Sequence, residues 1–130
     1  MTHTFDIRVY YEDTDLAGIV YYANYLKFIE RGRSEWVRTL GVDQTVLKAS
    51  GFVFVVRKLA ADYLKSAVYD DVLQVRTTPK KMGSASFELR QEVWRDDECL
   101  FTSDVTLVFV GSNGRAARIP ADIRRLLAGN

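Results

Sequence analysis

The chain has 130 residues, is 48% hydrophobic and sets 18 Lys+Arg against 17 Asp+Glu, for a net charge of +1. That length suits one domain spanning residues 1–130 around one core, and so small a charge offers no field to gather nucleic acid or an anionic membrane. No run approaches the roughly 20 apolar residues that span a bilayer, and the polar start from Met1 to Asp6 has no leader pattern, so a cytoplasmic protein is expected.

The chemistry narrows further through what is scarce. His3 is the only histidine and lies in the first residues of the chain, which argues against a histidine-based metal site and against Ser-His-Asp or Cys-His catalysis. The one cysteine, Cys99, sits in CLFTSDVTLVFV and reads as a strand thiol rather than a nucleophile. Carboxylate, tyrosine, lysine or backbone groups must then carry any reaction, with no metal or cofactor.

In chain order, Phe5, Ile7, Val9 and Tyr11 alternate with polar neighbours and predict a first strand. From Ala23 to Leu40, Tyr25, Ile29, Gly32, Trp36 and Leu40 recur at three- and four-residue spacings, predicting a long amphipathic helix that stops at Gly41. Gly32 inside that helix costs about 1 kcal/mol relative to alanine, which points to close approach by another backbone element. Asp43 is suited to cap a short helix running to Ala49 and closed by Gly51. A long strand from Phe52 to Leu64 follows, then strands at 71–78, 84–95 and 99–110, with turns expected at PKKMG and RDDE. Pro120 opens a terminal helix, ADIRRLLA, at its first position. One strand, a long helix and four consecutive strands predict an α+β fold, with a five-stranded antiparallel sheet wrapped around the helix. Its exposed edge strands favour pairing with a second copy.

The segment YYEDTDLAGIVYYANY, Tyr10 to Tyr25, concentrates the candidate chemistry. Asp13 and Asp15 each suit a turn or N-cap as well as a catalytic carboxylate, and propensity does not choose between them. Gly18 permits a tight turn, and the residues after it enter a first helical turn whose amides have no intrahelical acceptors. Such amides form an oxyanion site for an ester or thioester carbonyl, where one aimed donor is typically worth about 3–4 kcal/mol. A neighbouring carboxylate can attack or activate water, and Leu16, Ile19 and Val20 offer it an apolar surrounding.

The pattern Y-x-D-T-D-x-x-G-x-V-Y-x-x-x-Y before a long helix resembles the hotdog-fold acyl-CoA thioesterases of the 4-hydroxybenzoyl-CoA thioesterase family, most closely their Tol-Pal-associated branch. FVVRK at Phe54 to Lys58 and YDDVL at Tyr69 to Leu73 extend the resemblance over nearly the whole chain. It implies hydrolysis of a small or medium acyl-CoA, with Asp15 as nucleophile or general base and backbone amides around Tyr21 and Tyr22 polarising the carbonyl. It also implies an acyl pocket between two subunits of a homodimer or homotetramer. Gly18, Val20 and Tyr25 would line that pocket, with Val55, Val56, Arg57 and Lys58 on the facing strand.

Two positions depart from the family pattern. Several Tol-Pal-associated members carry histidine where this chain has Tyr22, while hydroxybenzoyl-CoA enzymes carry tyrosine there. The PKKMGS loop lacks the basic run expected to hold CoA phosphates, leaving Lys80, Lys81, Arg115 and Arg118 as candidates of the right type. The competing function is a non-catalytic module near the cell envelope that binds acyl chains or acyl carrier protein. Dehydratase chemistry ranks last because it needs a pocket histidine.

Overall fold

A computed structural model describes residues 1–129. Five strands and three helices follow one another as β1 (His3–Arg8), α1 (Asn24–Thr39), α2 (Gln44–Ala49), β2 (Phe52–Tyr63), β3 (Val72–Met82), β4 (Ser86–Arg95), β5 (Glu98–Gly111) and α3 (Ala121–Leu127). The strands form one antiparallel sheet in the order β1-β3-β4-β5-β2, so the β3-β4-β5 meander lies at its centre and the two earliest strands form its edges.

The sheet wraps around α1 because both present continuous apolar faces. Alternation along β3, β4 and β5 turns Leu73, Val75, Phe87, Leu89, Val93, Phe101 and Val105 inward, and α1 meets them with Phe28, Ile29, Trp36 and Val37. The opposite sheet face is polar: Lys80 pairs with Glu88 and Asp104, Arg90 pairs with Glu92 and Asp104, and Arg76 lies 4.0 Å above the Trp94 ring.

Two features fix where α1 sits. A Cβ added to Gly32 would stand 3.0 Å from Val75 Cβ and closer still to its Cγ1, so β3 does pack closely on the helix here, through the Val75 side chain rather than through backbone as expected. Beside it lies a buried polar group. Gln91 Nε2 donates to the Ile29 carbonyl at 2.8 Å and to Thr77 Oγ1 at 2.9 Å, while its Oε1 accepts from Arg33 at 2.8 Å. A slide of the helix along the sheet would leave these buried groups unpaired, at roughly 1–3 kcal/mol each.

Some boundaries differ from expectation. β1 ends at Arg8, and Tyr11–Asp13 turn into a short 3-10 helix, which leaves Tyr11 exposed rather than buried. β3 runs on through the PKKM segment expected to turn. Pro79 is accommodated there because it lies beyond the end of β1 and beside a register shift against β4, two settings in which a strand tolerates proline. Pro120 is the N-cap of α3 rather than its first residue. Asp43 caps α2 as expected, its Oδ1 accepting from Thr45 and Val46 at 2.9 and 3.2 Å.

Candidate active site

The segment between β1 and α1 is a chain of tight turns held by its own backbone. Asp13 Oδ2 accepts from the Tyr10 amide at 2.8 Å, closing the 3-10 turn. The Asp13 carbonyl accepts from the Tyr21 amide and from Asn24 Nδ2, each at 2.9 Å. Between them, residues 15–18 fold into a β-turn: the Asp15 amide donates to the Ile19 carbonyl at 2.9 Å and the Gly18 amide to the Asp15 carbonyl at 3.0 Å. Gly18 adopts φ +80°, the left-handed conformation that glycine takes most readily. Asp15 Oδ1 accepts from the Ala17 amide at 2.9 Å; among the described residues, its Oδ2 has no hydrogen-bond donor.

The start of α1 decides which amides are available. Tyr21 was expected to offer its N–H beside that of Tyr22, but the Tyr21 amide is engaged by the Asp13 carbonyl. This corrects the position of the open donors by one residue. The Tyr22 and Ala23 amides, in the turn just ahead of α1 and at its N-cap, have no protein acceptor among the described residues, whereas the first amides of the helix itself, those of Asn24, Tyr25 and Leu26, donate to the carbonyls of Tyr21, Tyr22 and Ala23.

Asp15, Tyr22 and Tyr25 share one cavity of about 370 Å³, walled also by Ile19, Val20 and the segment from Tyr63 to Ser66. Val20 is held there by its amide, which donates to the Ala67 carbonyl at 2.9 Å. Tyr25 lies in the core with its ring stacked on Phe101 at 5.1 Å, and its hydroxyl accepts from the Ala67 amide at 3.1 Å. Burial raises the pKa of the Tyr25 phenol, which keeps it neutral. The wall from Tyr63 to Ser66 is fixed at its end by Arg95, which donates to the Ser66 carbonyl at 3.2 Å and also to Asp71 Oδ2 at 2.9 Å.

The remaining expected residues lie elsewhere in the chain. Val55, Val56, Arg57 and Lys58 are exposed on edge strand β2, where the register shifts between Val56 and Lys58. Val56 is seven residues from Tyr63, about 23 Å along the strand, so within one chain it does not reach the Asp15 cavity. Lys80 is engaged with Glu88 and Asp104 on the outer sheet face, both at 3.2 Å. Arg118 borders a separate hollow with Ser84, Arg124 and Arg125, while Lys81 is exposed near the end of β3 and Arg115 is exposed in the turn after β5. None of these four lines the cavity. The cation that does is Lys65, ion-paired with Glu98, and the aromatic wall facing Tyr22 is Tyr63. Sequence reasoning missed both, since the only available signal was the end of the strand that carries them. No group of three or more His, Cys, Asp or Glu residues could hold a metal among the described residues.

The sequence model of the thioesterase superfamily matches residues 17–101, more than half of the chain and beginning two residues after Asp15. The chain belongs to the thioesterase superfamily. Its relatives include the acyl-CoA thioesterase YbgC of Haemophilus influenzae, 42% identical over 108 residues that cover 82% of this chain and 79% of the relative. The acyl-CoA thioester hydrolase YbgC of Escherichia coli O157:H7 is 38% identical, covering 78% and 76%. Among solved structures, a probable thioesterase from Bartonella henselae superposes with a TM-score of 0.88 at 36% identity, covering 92% of this chain and all of that one. An aspartate-to-asparagine mutant of 4-hydroxybenzoyl CoA thioesterase, complexed with 4-hydroxybenzoyl CoA, superposes with a TM-score of 0.90 at 27% identity, covering 97% and 98%. The fold is therefore the hotdog fold, and this superfamily member is a thioester hydrolase. No helix among its described residues is long and apolar enough to cross a membrane.

Proposed function

We propose that this thioesterase hydrolyses small or medium acyl-CoA thioesters with Asp15 as its carboxylate and the Tyr22 amide as its oxyanion donor. The observation that carries this reading is the meeting, in one cavity, of a half-buried carboxylate with a free oxygen and a helix-start residue with an unpaired N–H. Asp15 removes a proton from water, the resulting hydroxide adds to the thioester carbon, and the Tyr22 amide receives the developing oxyanion. Collapse breaks the carbon–sulfur bond, and the departing thiolate takes up the proton, releasing a carboxylic acid and the CoA thiol. Alternatively, Asp15 attacks the carbon directly and water cleaves the resulting anhydride. Both routes need the same residue.

Lys65 at the cavity wall is the cation best placed for CoA phosphates, ahead of Lys80, Lys81, Arg115 and Arg118. Acyl carrier protein, which presents a thioester on the same phosphopantetheine arm, is a second compatible donor. The assembly is a homodimer joined through β2, an edge strand that exposes Val53, Val55, Val56 and Leu59. Such pairing would bring Val55 to Lys58 of β2 toward the other subunit's cavity. The charged outer sheet face disfavours a tetramer built by stacking sheets. We place the activity in the cytoplasm, where CoA thioesters are made.

The test is hydrolysis of an acyl-CoA panel by the wild type and Asp15→Asn. A rate loss of about a hundredfold or more is expected for the variant. Equal rates would remove Asp15 from the mechanism, and tight binding of acylated carrier protein without any turnover would favour the non-catalytic module.

A further inference from the structure

Tyr63 closes β2 opposite the start of α1. Its hydroxyl donates to the carbonyl of Tyr22 at 2.9 Å, a bond between residues 41 positions apart. The ring, exposed on one side, stands edge-on to Tyr25 at 5.4 Å, to Phe101 at 5.0 Å and to Tyr22 at 6.1 Å, contacts that favour the orientation the hydroxyl bond uses.

The location of that bond matters. The Tyr22 carbonyl belongs to the same peptide unit as the Ala23 N–H, and the preceding unit, which carries the Tyr22 N–H, has its own carbonyl engaged by the Asn24 amide at 2.8 Å. Both peptide planes around Tyr22 are therefore anchored through their oxygens while their N–H groups remain open. A hydrogen bond to a carbonyl also polarises the amide it belongs to, strengthening it as a donor by something like 10–30%.

We propose that Tyr63 is a positioning residue for the thioesterase reaction, holding the Tyr22–Ala23 peptide from the far edge of the sheet so that the helix-start amides meet the developing oxyanion. This inference rests on the reading that the Tyr22 amide is the oxyanion donor, and it adds the Ala23 amide of the anchored peptide as a second donor beside it. Burial, followed by the nearby Tyr22 and Tyr25 phenols, raises the pKa of the Tyr63 hydroxyl, so it remains a donor throughout the neutral range. Its effect belongs to the transition state, where negative charge grows, and should appear in kcat rather than in KM.

The experiment compares wild type, Tyr63→Phe and, as a control, Tyr69→Phe, using steady-state kinetics on short and medium acyl-CoAs, thermal melting and amide NMR. Tyr63→Phe keeps the ring cage and removes only the hydroxyl. It should lower kcat about tenfold, hold KM within about twofold and shift the Ala23 amide proton upfield with little change in melting temperature. Tyr69→Phe should match wild type. A kcat within twofold of wild type, or a loss confined to KM, would overturn the proposal. If wild type hydrolyses no thioester, the oxyanion reading fails on its own. The Ala23 resonance still reports whether Tyr63 anchors the peptide, and an unmoved resonance would sink the anchoring role as well.

Discussion

The amide of Tyr21 donates to the carbonyl of Asp13 at 2.9 Å, and that bond gives the two aspartates different surroundings. It closes the loop between β1 and α1 on Asp13, whose carboxylate is already directed back at the Tyr10 amide. Asp15, on the turn enclosed by that loop, retains a free carboxylate oxygen beside the cavity. Asp13→Ala should therefore lower stability by about 1 kcal/mol, the usual cost of losing a capping side chain. Asp15→Asn should leave stability within about 0.5 kcal/mol and abolish most turnover. Denaturant unfolding and steady-state assays of both variants test the division, and a stable but inactive Asp13→Ala would reverse it.

Gly32 offers a test of the helix-sheet contact. A methyl group there meets the side chain of Val75, a β-branched residue with little freedom to yield in the middle of β3. Gly32→Ala should lower unfolding free energy by about 1–3 kcal/mol, even though alanine is the better helix former. A stabilised variant in urea unfolding would mean that the helix and sheet part at little cost.

Lys65 and Lys80 make opposite predictions. Lys65→Met should raise KM for acyl-CoAs several-fold, with little effect on truncated N-acetylcysteamine thioesters, which lack the phosphates. Lys80→Met should leave both KM values unchanged, because Lys80 is engaged on the outer sheet face. Equal KM changes on the two substrate types would show that Lys65 does not bind phosphate.

Glu98, the ion-pair partner of the cavity-lining Lys65, provides a pH handle on stability. Hydrogen bonds from Lys65, then from Arg95, hold its carboxyl below the ordinary glutamate range. A carboxyl whose folded pKa is depressed stabilises the protein above its unfolded value, near 4.3, and loses that contribution as pH falls toward the folded value. Glu98→Gln should thus make stability less dependent on pH below about 4.5 and leave the relative pH dependence unchanged near neutrality. Melting curves from pH 3 to 7 would show this, and parallel acid limbs for the two proteins would contradict it.

Much of this was legible from local pattern. The apolar spacing of α1, the Gly32 anomaly, the Asp43 cap and the DTDLAG turn each follow from residues within a few positions of one another, and all appear in the structure. Strand alternation likewise predicted a five-stranded antiparallel sheet around one helix. The extension of β3 through Pro79 was not legible, because it depends on where β1 stops along its neighbour. Nor was the engagement of the Tyr21 amide, which depends on the loop returning to Asp13.

By itself, the sequence determined the class of chemistry. With histidine confined to His3 and one cysteine in a strand, it left carboxylate, tyrosine, lysine or backbone groups as candidates for the chemistry, and it placed Asp13 and Asp15 ahead of a helix start. Only the tertiary structure decided which aspartate faces the cavity, which amides remain open and which distant residues wall the site. Tyr63 and Lys65 line the same cavity as Asp15 because β2 lies at the far edge of the sheet and ends beside the start of α1. Strand order is set by burial of the whole sheet against one helix, a global balance that no short stretch of residues encodes.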